Sequence, residues 1–218
     1  VIVTETISGY VYDTKTTAAK DLGGYTLIEK PSKEEYTLTE DEQVVNYYYS
    51  PNTKVIVKHL DQFDNSIEVA PEETIEGYVG KEYTTSKSDD HTLPNYTYVS
   101  STSNVDGKMT KETTIITYYY VKGLKINVRY VDKITNQDID VSKNEVTSKN
   151  QGQAYTTTKK EFENYVWISD TQNTAGTVGN QDIEVIYYYS PVTTVLVKHL
   201  DKYDHSIEVA ASQTIDGY

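Results

Sequence analysis

Three consecutive tyrosines occur three times in this chain, in VNYYYSP at 45–51, TYYYVKG at 117–123 and IYYYSP at 186–191. Their first members, Tyr47, Tyr118 and Tyr187, lie 71 and 69 residues apart. Self-similarity at a fixed period constrains a fold more than any local signal, because each copy has to be one structural unit. A second match sets the phase. VKHLDQFDNSIEVAPEETIEGY at 57–78 returns as VKHLDKYDHSIEVAASQTIDGY at 197–218, identical at 15 of 22 positions. A weaker copy starts at 128 with VRYVDKITNQDIDVSKNEV, and ETISGY at 5–10 matches ETIEGY at 73–78. The chain therefore reads as the C-terminal part of a first repeat (1–50), two complete repeats (51–121 and 122–190) and the N-terminal part of a fourth (191–218). Starting and stopping within the pattern, it reads as a piece of a longer protein. The boundaries fall at Ser50/Pro51, Lys122/Gly123 and Ser190/Pro191, where Pro and Gly suit a strand exit. Joints this short imply closely apposed units.

Within a repeat the pattern is β. Thr53–Leu60 is rich in β-branched residues, and DQFDNS (61–66) is a turn whose Asp, Asn and Ser side chains bond their own backbone. SIEVA opens the returning strand. GKEYTTSKS (80–88) is expected to be a short helical or irregular crossover, with strands following at 95–101 and 113–121. Helical periodicity of any length is missing. Because alternate residues of a strand face one side, the triplets can be sorted. Val45/Tyr47/Tyr49, Ile116/Tyr118/Tyr120 and Val185/Tyr187/Tyr189 are apolar or aromatic in every copy, whereas the other set admits Asn46, Thr117 and Glu184. The first and third tyrosines are thus expected in the core, and Tyr48, Tyr119 and Tyr188 on the wetter face.

Tyrosine supplies 22 residues against two Phe, one Trp and one Met. Its flat apolar face and polar tip suit half-wet strands. The balance of 20 basic and 33 acidic residues, a net −13, disfavours nucleic acid and anionic membrane, both of which rely on Lys and Arg. No apolar run nears the ~18 residues of a membrane span, and no sorting signal is evident. The absence of cysteine excludes a disulfide framework and a thiolate metal site. Together these features read as an all-β extracellular module.

The ordered series VKHLD..D.SIEVAPEETIEGYVGKEYTT, then GGYTLIEKPS, then YTLTEDEQVVNYYY, resembles the mucin-binding (MucBP-type) repeat of Gram-positive surface proteins. The resemblance covers essentially the whole chain. It implies a mainly β fold of tandem small mixed-sheet (β-grasp-like) modules of about 70 residues, taken here to be arranged as an elongated rod. It also implies a secreted, non-enzymatic adhesin, extracellular and anchored to the cell wall through parts of the parent chain outside these residues. Repeat three departs from the pattern, with NQDIDVSKNEV in place of IEVAPEET, and Ala211 replaces the proline of repeat four.

The outward tyrosines Tyr48, Tyr119 and Tyr188, together with Trp167, are the candidates for glycan binding, since sugars stack their C–H-rich faces on aromatic rings. Trp167 stands where earlier repeats carry Leu27 and Tyr98 and alternates with Tyr165, so core packing is the favoured reading for it. His59 and His199 are equivalent to Tyr130, an exchange that suits a packing position rather than a metal ligand; His91 and His205 have no counterparts and read as solvated. Asp61/Asp64 and Asp201/Asp204 are weak Ca²⁺ candidates. Calcium takes six to eight oxygens, more than these turns offer, so turn capping is favoured. No nucleophile motif or phosphate loop is present, and neither an enzyme nor a cofactor is expected. The negative charge would repel sialylated or sulfated mucin over ~8 Å. The expected partners are therefore neutral sugars of mucin or other host glycoproteins, contacted weakly by a monomer and multiplied by many copies. The alternative is a stalk that projects another binding domain.

Overall fold

The structure is a computed structural model that describes residues 4–89 and 93–217. Among these the regular elements are strands, apart from one 3-10 turn at Val141–Lys143. The chain forms two compact units, residues 1–94 with 98–120, and residues 95–97 with 121–218.

In the first unit, Tyr48–Asp61 forms an antiparallel hairpin with Glu68–Tyr78 and lies parallel to Thr114–Asp132 over Val55–Asp61. Tyr96–Ser101 also pairs with that closing strand. The first and last strands of the repeat are thus parallel neighbours, with the second strand beyond the first. This is the mixed order of a β-grasp sheet, here without a helix. Parallel neighbours require a long crossover, and the crossover is not helical or irregular throughout. Glu82–Thr84 pairs with Asp106–Lys108 as a separate ribbon in which Tyr83 stands opposite Gly107. The Tyr83 ring lies against Gly107, and its hydroxyl donates to Asn104 O at 3.0 Å, which ties the two sides of the ribbon together. The buried apolar side chains come from the sheet (Val55, Val57, Val69, Ala70, Ile116, Tyr118, Tyr120), from Tyr83 of the ribbon and from Met109 just after it. The first repeat contributes Tyr25–Glu29, antiparallel to the start of Tyr48–Asp61, and its own ribbon of Thr14–Thr16 with Glu35–Thr37.

The second unit repeats this order. Leu124–Asp132 pairs antiparallel with Gln137–Asp138 and Glu145–Asn150, and parallel with Ile183–Pro191. Tyr165–Asp170 flanks Ile183–Pro191, and Ala154–Thr156 pairs with Ala175–Thr177. The longer turn of repeat three splits the returning strand in two. The 3-10 turn fills the gap, its start capped by Asp140, whose Oδ1 accepts from the Ser142 N–H at 2.9 Å. The core gathers Leu124, Ile126, Val128, Tyr130, Tyr155, Val178, Val185, Tyr187 and Tyr189. A hairpin of Thr193–Leu200 with Glu208–Gly217 follows.

The strands do not exit at Pro51 and Gly123. Tyr48–Asp61 and Thr114–Asp132 run straight through these positions. A proline breaks a ladder only where its missing N–H is needed. Here the next residue, Asn52, donates to Gly24 O at 2.8 Å, and Pro51 O accepts from the Val79 N–H at 2.9 Å. The same bond recurs from Gly123 to Asn95 and from Val192 to Asn164. The acceptors Gly24, Asn95 and Asn164 have φ of 80°, 66° and 62°. Gly and Asn are the residues that tolerate this left-handed region.

A second left-handed position leads to a prediction. Gly80 and Gly152, at φ 93° and 85°, donate their N–H to Met109 and Val178, and in repeat one the matching place is held by Tyr12 at φ 75°, donating to Leu38. A side chain in this region costs about 1–2 kcal/mol. Tyr12→Gly is therefore expected to raise the urea midpoint of the first unit by the equivalent of about 1 kcal/mol, and Gly152→Ala to lower that of the second by a similar amount.

Candidate functional site

The closing strands carry their tyrosines as alternation requires. Tyr118, Tyr120, Tyr187 and Tyr189 are buried, and in repeat one Tyr47 and Tyr49 are half-buried. Their hydroxyls do the same work in each copy. The first tyrosine meets a threonine hydroxyl on the crossover: Tyr47 with Thr17 at 2.9 Å, Tyr118 with Thr85 at 2.8 Å, and Tyr187 with Thr157 at 2.9 Å. The third accepts a backbone N–H and donates to the carbonyl of that same residue. Tyr49 does so with Lys20 (2.9 and 2.9 Å), Tyr120 with Ser88 (2.9 and 3.1 Å) and Tyr189 with Lys160 (3.1 and 2.6 Å). Two phenols per triplet thus pin the crossover over the sheet. Sequence reasoning missed these partners. The only trace of them is the threonine pair that follows each ribbon strand.

The middle tyrosines point away from the core. Tyr48 is 54% exposed, and Tyr119 and Tyr188 are half-buried. Tyr119 lies beside Leu60 in the parallel ladder, and Ile115 beside Ile56. The Tyr188 ring is covered by Lys133, whose Nζ sits 3.9 Å from the ring centroid. In the same unit Arg129 bridges two carboxylates, Asp138 at 3.0 Å and Glu184 at 3.5 Å.

Trp167 is not in the core; it is 38% exposed, with Lys159 Nζ 4.7 Å from its ring. A bulge between Trp167 and Ser169 sets it opposite Tyr189, while Ser169 stands opposite Tyr188. Cross-strand partners share a face. The structure therefore places Trp167 with the pinned tyrosines and does not bring it together with Tyr188.

His59 is fully buried, stacked on Tyr118 at 5.5 Å between centroids, with Nδ1 3.0 Å from the Tyr120 hydroxyl. Tyr130 repeats this packing on Tyr187 at 5.7 Å and donates to Thr158 O at 3.2 Å. An aromatic ring, rather than a ligand, is what the position holds in both units. His199 and His205 are exposed, and His91 lies outside the described residues.

The acidic turns are built from inside. Asp61 Oδ1 accepts from the N–H groups of Phe63 (2.6 Å) and Asp64 (3.1 Å), and Asp64 Oδ1 from the N–H and hydroxyl of Ser66 (3.0 and 2.6 Å). Asp201 and Asp204 reproduce this with Tyr203, Asp204 and Ser206. Among the described residues no cluster of three or more His, Cys, Asp or Glu is placed to hold a metal. The Ser66 hydroxyl and then its N–H hold the Asp64 carboxyl below its ordinary 3.8, and Ser206 does the same for Asp204. A depressed value means the stabilisation is complete above 3.8 and is lost as pH falls through the folded value. The urea midpoint of the first unit is accordingly expected to fall more steeply below that pH in the native chain than in Asp64→Asn, which keeps the acceptor without the titration.

These observations define a class: small β-grasp-like modules in tandem, whose recurring polar chemistry holds the fold. The chain belongs to the MucBP domain family, whose pattern matches residues 1–50, 54–121 and 125–190. It is 29% identical over 226 residues to Internalin J of Listeria monocytogenes serotype 4b, covering 98% of this chain and 24% of that protein. Against Internalin J of L. monocytogenes serovar 1/2a it is 28% identical over 198 residues, covering 87% and 22%. The chain thus spans about a quarter of the length of these relatives. Among solved structures it is similar to streptococcal SHIRT domains 3–4 from a cell surface protein, at 10% identity and a TM-score of 0.25 over 64% of this chain and 98% of that one. Mub-RV matches at 14% identity and a TM-score of 0.22, over 63% and 99%.

Proposed function

We propose that this array is a non-enzymatic, adhesive segment of a bacterial cell-surface protein that contacts mucin-type or other host glycans weakly, one outward tyrosine per repeat. The observation that carries this reading is the recurrence of Tyr48, Tyr119 and Tyr188 at one strand position that faces away from the core in each copy. A ring outside the core recurs on a strand otherwise given over to pinning the fold. Family membership and the Internalin J relatives support an extracellular location, with wall anchoring supplied by other parts of the parent protein. Net charge of −13 favours neutral sugars over sialylated or sulfated ones. Single contacts of this kind are weak, and linked copies raise avidity by about 10² or more where the sites can be engaged together.

The stalk reading is favoured by a different observation. Lys133 occupies the Tyr188 ring face that a sugar would stack on. One experiment separates the two: binding of the native chain, clustered on beads, to immobilised mucin with and without glycosidase treatment. The adhesive reading expects glycan-dependent capture that drops at least about tenfold in Tyr48→Ala/Tyr119→Ala/Tyr188→Ala with circular dichroism unchanged. Absence of capture by the clustered native chain would leave the stalk.

A further inference from the structure

Glu5, Glu73 and Glu145 hold one place in the three repeats, and Lys20, Ser88 and Lys160 hold another. Glu73 stands opposite Val57 and Glu145 opposite Val128, the first residues of VKHLD and VRYVD. Lys20, Ser88 and Lys160 are the residues whose backbone the third tyrosine grips. In repeats one and three the crossover lysine also ties to the glutamate. Lys20 Nζ lies 2.6 Å from Glu5 Oε2, and Lys160 Nζ pairs with the Glu145 carboxylate. Repeat two has a serine in the lysine's place. It differs at a second position as well, with His59 where repeat three has Tyr130. The two changes meet at Glu73, whose Oε1 is 3.8 Å from His59 Nε2.

The tyrosine pin settles which ring nitrogen carries a proton. The Tyr120 hydroxyl accepts from the Ser88 N–H and gives its single proton to Ser88 O. At its 3.0 Å contact with His59 Nδ1 the hydroxyl is therefore the acceptor, and Nδ1–H donates. A neutral ring protonated at Nδ1 turns the lone pair of Nε2 toward a carboxylate. A second proton, on Nε2, turns that contact into an attraction.

We propose that His59, as an imidazolium, supplies to repeat two the cation that Lys20 and Lys160 supply to repeats one and three, so that its lock on Glu73 closes in mild acid and opens in alkali. His59 is fully buried, which by itself favours a neutral ring. Its surroundings oppose that. Among the described residues the titratable groups about the ring include Glu73 on the returning strand, Tyr118 and Tyr120 on the closing strand with Tyr98 beyond them, and Asp61 on its own strand. Asp89, paired with Lys87, lies on the crossover. Tyrosines are neutral in this range, and the carboxylates outnumber the ammonium, so the local field favours a positive ring. A histidine held in its charged form stabilises fully below its unfolded value of about 6.5, and the gain is lost as pH rises through the folded value. A lysine stays charged throughout this range, so repeat three is held equally at both ends of it.

Long-range proton–nitrogen NMR of the 218-residue chain reads the proton on each ring nitrogen, with the His59 signals identified by their loss in His59→Tyr. At about pH 6 both His59 nitrogens are expected to carry protons, and toward about pH 8 Nε2 is the one to lose its own. The Glu73 side chain is 65% exposed, so Glu73→Gln keeps the fold. It is expected to move the His59 titration to lower pH by about half a pH unit, as suits a pair screened on one side. In urea the folded-to-unfolded ratio of the first unit should rise by about two- to tenfold from about pH 8 to about pH 6. That rise should shrink in Glu73→Gln and vanish in His59→Tyr/Ser88→Lys, which carries the residues of repeat three. A His59 ring that is neutral at about pH 6, that loses its proton from Nδ1, or that titrates in Glu73→Gln as in the native chain would overturn the proposal. So would a first-unit ratio that stays level or falls over the same range.

Discussion

Tyr189→Phe is expected to destabilise the second unit by about 2 kcal/mol, while Tyr188→Phe, one residue away, leaves it unchanged. The Tyr189 hydroxyl accepts from the Lys160 N–H and donates to the Lys160 carbonyl. Removing the oxygen leaves two half-buried backbone groups of the crossover without this partner, each costing about 1 kcal/mol or more. For a unit of this size that corresponds to a melting shift of roughly 10 °C. The ring stays in both variants, and with it the edge-on contact to Phe162 at 5.2 Å. Tyr189→Ala also removes the ring from a fully buried site and is expected to cost roughly 3–5 kcal/mol. Urea titration reads all three variants. If Tyr189→Phe and Tyr188→Phe proved equal, the pin would carry no weight.

The second large effect appears in alkali. Burial pushes the Tyr130 hydroxyl up to about 12, with the Glu145 carboxylate adding to it. Burial likewise pushes Tyr189 up to about 12, against the lowering effect of its bond with Lys160. Both values lie above the ordinary 10.0, so folding favours the protonated phenols. Their contribution is complete below pH 10 and is lost as pH rises toward 12. The two rings are 6.4 Å apart and share a core, so they ionise as a coupled pair. The urea midpoint of the second unit should stay level up to about pH 10 and then fall steeply. The share of the tyrosinate absorbance that comes from the buried phenols should appear together with unfolding rather than ahead of it. Tyr130→Phe should make the fall shallower. A midpoint that declines smoothly from neutral pH would contradict this account.

The inward and outward assignment of the triplets was legible because period two needs no knowledge of partners. A residue and its second neighbour share a face whatever lies beyond them. The partners themselves were not legible. Tyr187 and Thr157 are 30 residues apart, and Tyr189 meets a backbone rather than a side chain, so no residue type marks its target. The ribbons escaped notice for another reason. Three residues are too few to show alternation, and Tyr83 opposite Gly107 becomes meaningful only once the register is known. Pro51 suggested a strand exit because the sequence cannot show that the neighbouring Asn52 N–H makes the bond to Gly24. Trp167 was placed by simple alternation, and the bulge before Ser169 together with its position on the margin leaves it half in water. The acidic turns were readable as turns from composition alone, because Asp and Ser carry their own acceptors and donors.

The parallel pairing of first and last strands has a consequence under tension. Within the complete repeat of the first unit, the chain enters along Val55–Asp61 and leaves along Thr114–Tyr120, running in the same direction. A pull on the two ends drags these strands past each other lengthwise. The ladder is then loaded in shear, with its hydrogen bonds sharing the force instead of opening one by one as in a zipper. Ile126–Asp132 and Ile183–Tyr189 set the same arrangement in the second unit. A tether exposed to flowing liquid would need this kind of mechanical resistance, and here it arises from strand order without a disulfide.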